Sequence, residues 1–274
     1  MPGVTFDRAA TFYDATRGYA PGVAERIHEA VRAYVGATSE TRFLEIGVGT
    51  GRIALPFIQA DDDYTGVDLS NAMLDVLRAK IRQSPGAASN RYALYQADVM
   101  ALPFPAATFD VVLAVHIMHL VDDRQQTIRE ARRVLKPGGV FISAADGPED
   151  HEDEEIPARQ VRMRWLEILE EMQVSTSTAR SGWITDEIVV GDLQQLGAQT
   201  EVVHLAPYHR TPVSARQMAN LIEARMFSSD WETSEADHAE ATRRLEQWLA
   251  ATFDDPTELY DMRGDFIAVA GRWG

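Results

Sequence analysis

The sequence predicts an α/β fold built on a doubly wound, largely parallel sheet. Three observations carry that expectation. Short apolar runs alternate with helical patterns from about residue 41 to residue 145. The run Phe43-Leu-Glu-Ile46 leads straight into glycines at alternate positions, Gly47, Gly49 and Gly51, and then into a helix-compatible stretch. The next apolar run closes on a carboxylate, Asp68, 21 positions after Gly47.

The elements follow in order. Residues 6–35 read as helical, with Phe6, Phe12 and Tyr13 first, then Pro21, then Ile27, Val31 and Tyr34 at helical spacing. Arg42–Ile46 is the first strand and 52–59 its helix. Asp63–Val67 is the second strand and Asn71–Gln83 its helix, with Ser70 placed to cap it. Ser84-Pro-Gly-Ala-Ala-Ser-Asn90 is turn-rich. Arg91–Gln96 and Phe109–Val115 are strands three and four. Thr127–Val134 is a helix that ends at Lys136-Pro-Gly-Gly139, a tight turn into strand five, Val140–Ala145.

The rhythm breaks after Asp146. The acidic run Glu149–Glu155 reads as a solvated loop. Helical patterns follow at Ala158–Met172 and Thr185–Leu196, a strand at Glu201–Leu205, helices at Ser214–Phe227 and Glu235–Ala251, and a closing strand at Asp265–Gly271. The expected division is an N-terminal helical segment 1–38, a core of 39–146 and 185–274 with a helical insertion at about 213–252, and a cap of 147–184.

Composition narrows the function. The chain has 274 residues, enough for one large domain or one with an insertion. Its 26 basic and 42 acidic residues give a net charge of −16. Phosphate backbones attract Lys and Arg clusters, so nucleic acid is not an expected partner. Cysteine is absent, which removes disulfides, thiolate catalysis and Cys-ligated zinc. No apolar run reaches the roughly 18–20 residues of a membrane span. Residues 1–7 lack the basic and apolar regions of a secretion signal, so a cytoplasmic location is expected.

Alternate glycines let a ligand lie against bare main chain, so this turn reads as a cofactor site. A dinucleotide turn follows G-x-G-x-x-G, and here its last glycine position holds Arg52. The pattern Glu45-x-Gly47-x-Gly49-x-Gly51 instead resembles the first motif of class I S-adenosylmethionine-dependent methyltransferases. Leu102-Pro-Phe-Pro105, Thr108-Phe-Asp-Val-Val112 and Arg133-Val-Leu-Lys-Pro-Gly-Gly139 extend the resemblance over about 40–145. It is nearest the type 11, ubiquinone/menaquinone-methyltransferase-like branch of small-molecule enzymes.

That resemblance implies a Rossmann-like seven-stranded sheet of order 3-2-1-4-5-7-6 with the last strand antiparallel, a helical lid and helical cap insertions. It implies S-adenosylmethionine as cofactor and S-adenosylhomocysteine as product. Glu45 is then placed for the cationic amino group, Asp68 for the ribose hydroxyls, and Asp98 for the adenine amine. Val99 or Met100 packs on the ring. Gly47, Gly49, Gly51, Leu69 and Val115 complete the expected cofactor residues.

His116 lies past strand four and is a candidate base, or a cofactor contact, or a structural residue. His116, His119 and Asp122 lack a third firm ligand and a zincin pattern, so no metal is expected. Phe12-Tyr13-Asp14-Ala-Thr-Arg17-Gly-Tyr19 resembles the family's lid segment. Tyr13, Arg17, Tyr19, His119 and Trp165 are therefore candidate lid or substrate residues. The aromatics of that segment are equally able to serve as helix packing.

The expected activity is methyl transfer to a small hydrophobic or aromatic metabolite by in-line displacement. The alternatives are an NAD(P)-dependent oxidoreductase or a non-catalytic cofactor-binding subunit. The acceptor, its reacting atom and the oligomeric state stay open.

Overall fold

A computed structural model describes residues 7, 10, 13, 14, 18–84, 91–148, 156–174, 184–227, 231, 233–261 and 263–274. Phe6, Phe12, Arg17 and the acidic run 149–155 lie outside these residues. Contacts divide the chain into two compact units. The first holds Met1–Gly147, Ile184–Tyr208 and Asp265–Gly274, and the second Pro148–Trp183 and His209–Gly264.

The first unit carries a sheet of seven strands among the described residues: β1 (Arg42–Ile46), β2 (Asp63–Asp68), β3 (Tyr92–Gln96), β4 (Phe109–Val115), β5 (Leu135–Pro148), β6 (Gln199–His209) and β7 (Arg263–Arg272). Their spatial order is β3-β2-β1-β4-β5-β7-β6, the order that the resemblance implied. β1 pairs in parallel with β2 and β4, β2 with β3, and β4 with β5. The order reverses between β1 and β4, so the crevice at their carboxyl ends is where a ligand binds in such sheets.

Alternation along the strands fixes the two faces. Phe43, Val111 and Leu113 join one buried cluster, and Leu44, Ile46, Val112 and Ala114 the other. Helices cover both faces, as a parallel sheet requires. They are α1 (Val23–Val35), α2 (Ala54–Gln59), α3 (Asn71–Gln83), α4 (Arg124–Val134) and α6 (Asp186–Gln195), with α5 (Pro157–Glu171) between α4 and α6 in the chain.

Several boundaries differ from expectation, among them those of the first long helix, α2 and β5. The first long helix starts only at Val23, after Gly22 in the left-handed region at φ 81°. Pro21 disfavours helical geometry in the residue before it, and residues 18–20 are not helical although Tyr13 and Asp14 are. α2 begins at Ala54, two residues later than expected, and has six residues. Lys136-Pro-Gly-Gly139 is not a separate turn before the strand. It lies within β5 as an irregularity, where Leu135 pairs with Phe109 and Val140 with Val111.

α3 matches the expected bounds, and Ser70 caps it by accepting from the Met73 N–H at 3.2 Å. Gly51 turns the chain toward α2 at φ +81°, and a Cβ there would lie 2.2 Å from Leu77 Cδ1. Leu77 is fully buried in α3 and has no free space to retreat into. Gly51→Ala is expected to cost at least about 1–3 kcal/mol from the left-handed backbone alone. An unchanged urea midpoint would show that the turn tolerates a side chain.

The second unit is helical. α5, α7 (Ala215–Glu223) and α8 (Glu235–Thr252) enclose Val161, Trp165, Ile168, Ile222 and Leu245. The helices of 215–252 thus cluster with 157–171, whereas the sequence assigned them to the core as an insertion. Their apolar stripes face each other, which periodicity cannot reveal. Trp165 is fully buried here, with its ring 5.1 Å from that of His238. It packs this bundle and is corrected from a substrate candidate to a core residue.

Candidate functional site

The β1 exit turn is held by the neighbouring strand. The Gly47 and Val48 N–H groups both donate to Val67 O, at 2.8 and 2.9 Å. Gly49 has nothing within 4 Å of an added Cβ, so its bare backbone faces open space. Asp68, at the end of β2, ties this turn to the start of α3. Its Oδ2 accepts from the Gly49 N–H and its Oδ1 from the Ser70 N–H, both at 2.8 Å. Since Ser70 caps α3, Asp68 is not the helix cap. Burial pushes the Asp68 carboxyl up, against the three backbone N–H groups of Ser70, Gly49 and Leu69 that favour its ionised form.

Two clefts open on this turn, both in the first unit. The larger encloses about 840 Å³, open solvent included. Gly47, Gly49, Asp68, Leu69, Asp98, Val99, Met100 and Val115 line it, together with Tyr13 and His116. The sequence had named all of these. Asp98 accepts from the Met100 N–H at 2.8 Å, an Asx turn that fixes the carboxylate at the rim. His116 takes the left-handed conformation at φ 53° and donates its backbone N–H to Ala144 O at 3.0 Å. That conformation is uncommon for a non-glycine residue and is found in functional turns.

The smaller cleft, about 290 Å³, is lined by Glu45, Val48, Thr50, Arg52 and Ile53. It shares Tyr13, Gly47, Gly49 and Val115 with the larger one. Glu45 is 2% exposed and accepts from the Tyr64 hydroxyl at 2.7 Å. Burial raises its carboxyl to about 8, although the Tyr64 hydrogen bond and the Arg52 charge both pull the other way. Glu45 therefore holds its proton at neutral pH until a cation joins it.

The N-terminal segment is fastened to the same loops. Asp14 accepts from the Thr50 hydroxyl at 2.7 Å and pairs with Lys80 at 2.6 Å, and Asp7 accepts from the Ser70 hydroxyl. These bonds set Tyr13 at the junction of the clefts.

Some expected residues lie elsewhere. Gly51 lines neither cleft, and its place is the close packing against Leu77. His119 is exposed and Tyr19 packs on Tyr208 at 5.5 Å, and neither is among the described residues lining these two clefts. Arg17 is outside the described residues. No group of three His, Cys, Asp or Glu residues able to hold a metal occurs among the described residues. Sequence reasoning did not assign to the site Ser70, Met73, Ile117, Leu120, Val121 and Asp122 of the larger cleft or Val48, Thr50, Arg52 and Ile53 of the smaller. Among these, Arg52 carried a signal as a charge directly after the last glycine, and Asp122 as a carboxylate just past strand four.

The residues present fit an adenosine-containing cofactor without a pyrophosphate. Three carboxylates, Asp68, Asp98 and Asp122, line the larger cleft, with no Lys or Arg among its described lining residues. A pyrophosphate would be repelled there, whereas hydroxyls, an exocyclic amine and a sulfonium are accommodated. Fold and site together define the class: a Rossmann-like α/β domain of the class I methyltransferase type.

Residues 44–143 match the profile of the methyltransferase-domain family. A 27-O-demethylrifamycin SV methyltransferase of Amycolatopsis mediterranei is 34% identical over 134 residues, 48% of this chain and 46% of that protein. A demethylmenaquinone methyltransferase of Symbiobacterium thermophilum is 35% identical over 141 residues, 50% of this chain and 55% of that protein. The alignments thus span about half the length of these curated relatives. YcgJ of Bacillus subtilis has the same fold, with a TM-score of 0.55 at 18% identity over 90% of this chain and 100% of that one. So does the 4+2 cyclase SpnF, with a TM-score of 0.56 at 19% identity over 97% and 93%. The fold therefore hosts more than one chemistry, and function must be argued from the site. No helix among the described residues is long and apolar enough to cross a membrane.

Proposed function

We propose that the protein transfers a methyl group from S-adenosylmethionine to a small hydrophobic or aromatic molecule, leaving S-adenosylhomocysteine. The observation that carries this reading is the pairing of a bare glycine turn with a carboxylate-lined cleft hostile to phosphate. When bound, the cofactor supplies a methyl group already activated on a cationic sulfur.

The chain's residues then bind and orient. Asp68 accepts the ribose hydroxyls through lone pairs left over from its two backbone bonds. Asp98 accepts the adenine amine, and Val99 and Met100 cover the ring. Glu45 takes the amino group. Holding nucleophile, methyl and sulfur in line supplies up to about 7–11 kcal/mol of rate enhancement. A base is needed only where the acceptor atom carries a proton, and His116, which lines the larger cleft, is our candidate for that role. The names of the two relatives state small-molecule acceptors, in keeping with this class of substrate.

Two measurements test the reading. Calorimetry should show binding of S-adenosylhomocysteine and none of NADH; the reverse would restore the oxidoreductase alternative. Labelled methyl transfer to a panel of hydrophobic and aromatic acceptors should separate a catalyst from a cofactor-binding subunit. His116→Ala should keep cofactor affinity and lose about 10²-fold or more in turnover on acceptors with a protonated reacting atom. A fully active variant would remove His116 as the base.

A further inference from the structure

The smaller cleft differs from the larger in its charge. It brings one acid, Glu45, and one base, Arg52, to the same glycine turn. We propose that Arg52, held by Tyr19, recognises the carboxylate of the cofactor's amino-acid end, so that Glu45 and Arg52 together select a zwitterion. This assignment rests on the cofactor reading above and deepens it.

The geometry supports it in three ways. The Arg52 guanidinium carbon lies 4.5 Å from the centre of the Tyr19 ring, a cation–π arrangement that restricts a long side chain. Tyr19 is in turn packed edge-on against Tyr208 at 5.5 Å, and Tyr208 is buried. The arginine thus stands on a two-ring support within the first unit. A planar guanidinium matches a carboxylate in a way that an ammonium does not.

The charges make the same point. An amine alone would gain from Glu45 and be repelled by Arg52. A ligand with both ends charged satisfies both groups and leaves the cleft neutral. Arg52 follows the last glycine of the turn directly, so the feature that departs from a dinucleotide turn is the one that reads the amino acid.

The test uses S-adenosylhomocysteine and its decarboxylated analogue, S-adenosyl-3-thiopropylamine, titrated calorimetrically into the full chain. Wild type should bind the carboxylated ligand at least about tenfold more tightly. Arg52→Met should weaken S-adenosylhomocysteine by about 10- to 100-fold and the analogue by much less, the scale of lost bonds to a charged group. Arg52→Lys should recover part of the preference.

Tyr19→Leu should lower the preference in the same direction, and Tyr19→Phe, which keeps the ring face, should restore it. Equal losses for both ligands in Arg52→Met would overturn the assignment, as would an unchanged ratio. Should Arg52→Met fail to fold, the ratio measured with Arg52→Lys decides, and an unreduced one overturns the assignment. If wild type binds S-adenosylhomocysteine without favouring it over the analogue, the Arg52 assignment alone fails. If wild type binds neither ligand, the cofactor reading itself fails and takes this one with it.

Discussion

Glu45→Gln should stabilise the ligand-free protein at pH 8–9 and weaken S-adenosylhomocysteine binding in the same samples. The carboxyl is raised from 4.5 to about 8, chiefly by burial. Between those values the folded chain keeps a proton that the unfolded chain has released. The contribution of this group to stability therefore falls as pH rises through the window, at up to about 1.4 kcal/mol per pH unit. An amide has no proton to lose, so the variant should show a flatter profile in urea melts from pH 5 to 9. Its side chain still accepts from the Tyr64 hydroxyl, which limits damage to packing.

The cofactor's ammonium reverses the balance, because it favours the ionised carboxylate. Binding near pH 7 should release a proton, and affinity should rise with pH up to about 8. Calorimetry in buffers of different ionisation enthalpy would detect that proton. In Glu45→Gln the release should vanish and affinity drop about 10- to 100-fold at pH 8. Absence of proton release in wild type, or undiminished affinity in the variant, would end the role assigned to Glu45.

Asp68→Ala should weaken cofactor binding by roughly 1–3 kcal/mol, the scale of lost hydrogen bonds to a charged acceptor. It also orphans the Gly49 and Ser70 N–H groups, which now donate to one carboxylate. Stability should therefore fall too, by about 1–3 kcal/mol for each N–H that finds no water. The two effects separate experimentally. Urea melts report the turn without ligand, and calorimetry on the folded variant reports the ribose contact. A folded variant with unchanged affinity would refute the ribose role and leave Asp68 as a strut between the β1 turn and α3.

Much of this was legible in the chain. Strand β4 and helices α3 and α8 lie within a residue of their expected limits, because apolar periodicity and local caps such as Ser70 and Ser234 set them. Nine of the residues expected around the cofactor and base line the larger cleft, because strand ends and tight turns place side chains locally. Trp165 misled, since an apolar stripe reads alike whether it meets a ligand or another helix. The helix expected over 6–35 was too long: residues 18–20 are not helical, Pro21 disfavours helical geometry in the residue before it, and Gly22 is left-handed just ahead of Val23.

The sequence alone determined the alternation of strands and helices, the glycine turn and the acids at the strand ends. Each of those follows from torsional preference and side-chain period over a few neighbouring residues. Only the tertiary structure decided that Arg52 shares a cleft with Glu45, that Tyr64 caps a carboxyl buried enough to hold its proton, and that α7 and α8 pack with α5. These outcomes depend on which distant groups exclude water from one another, and burial of that kind is a property of the packed whole.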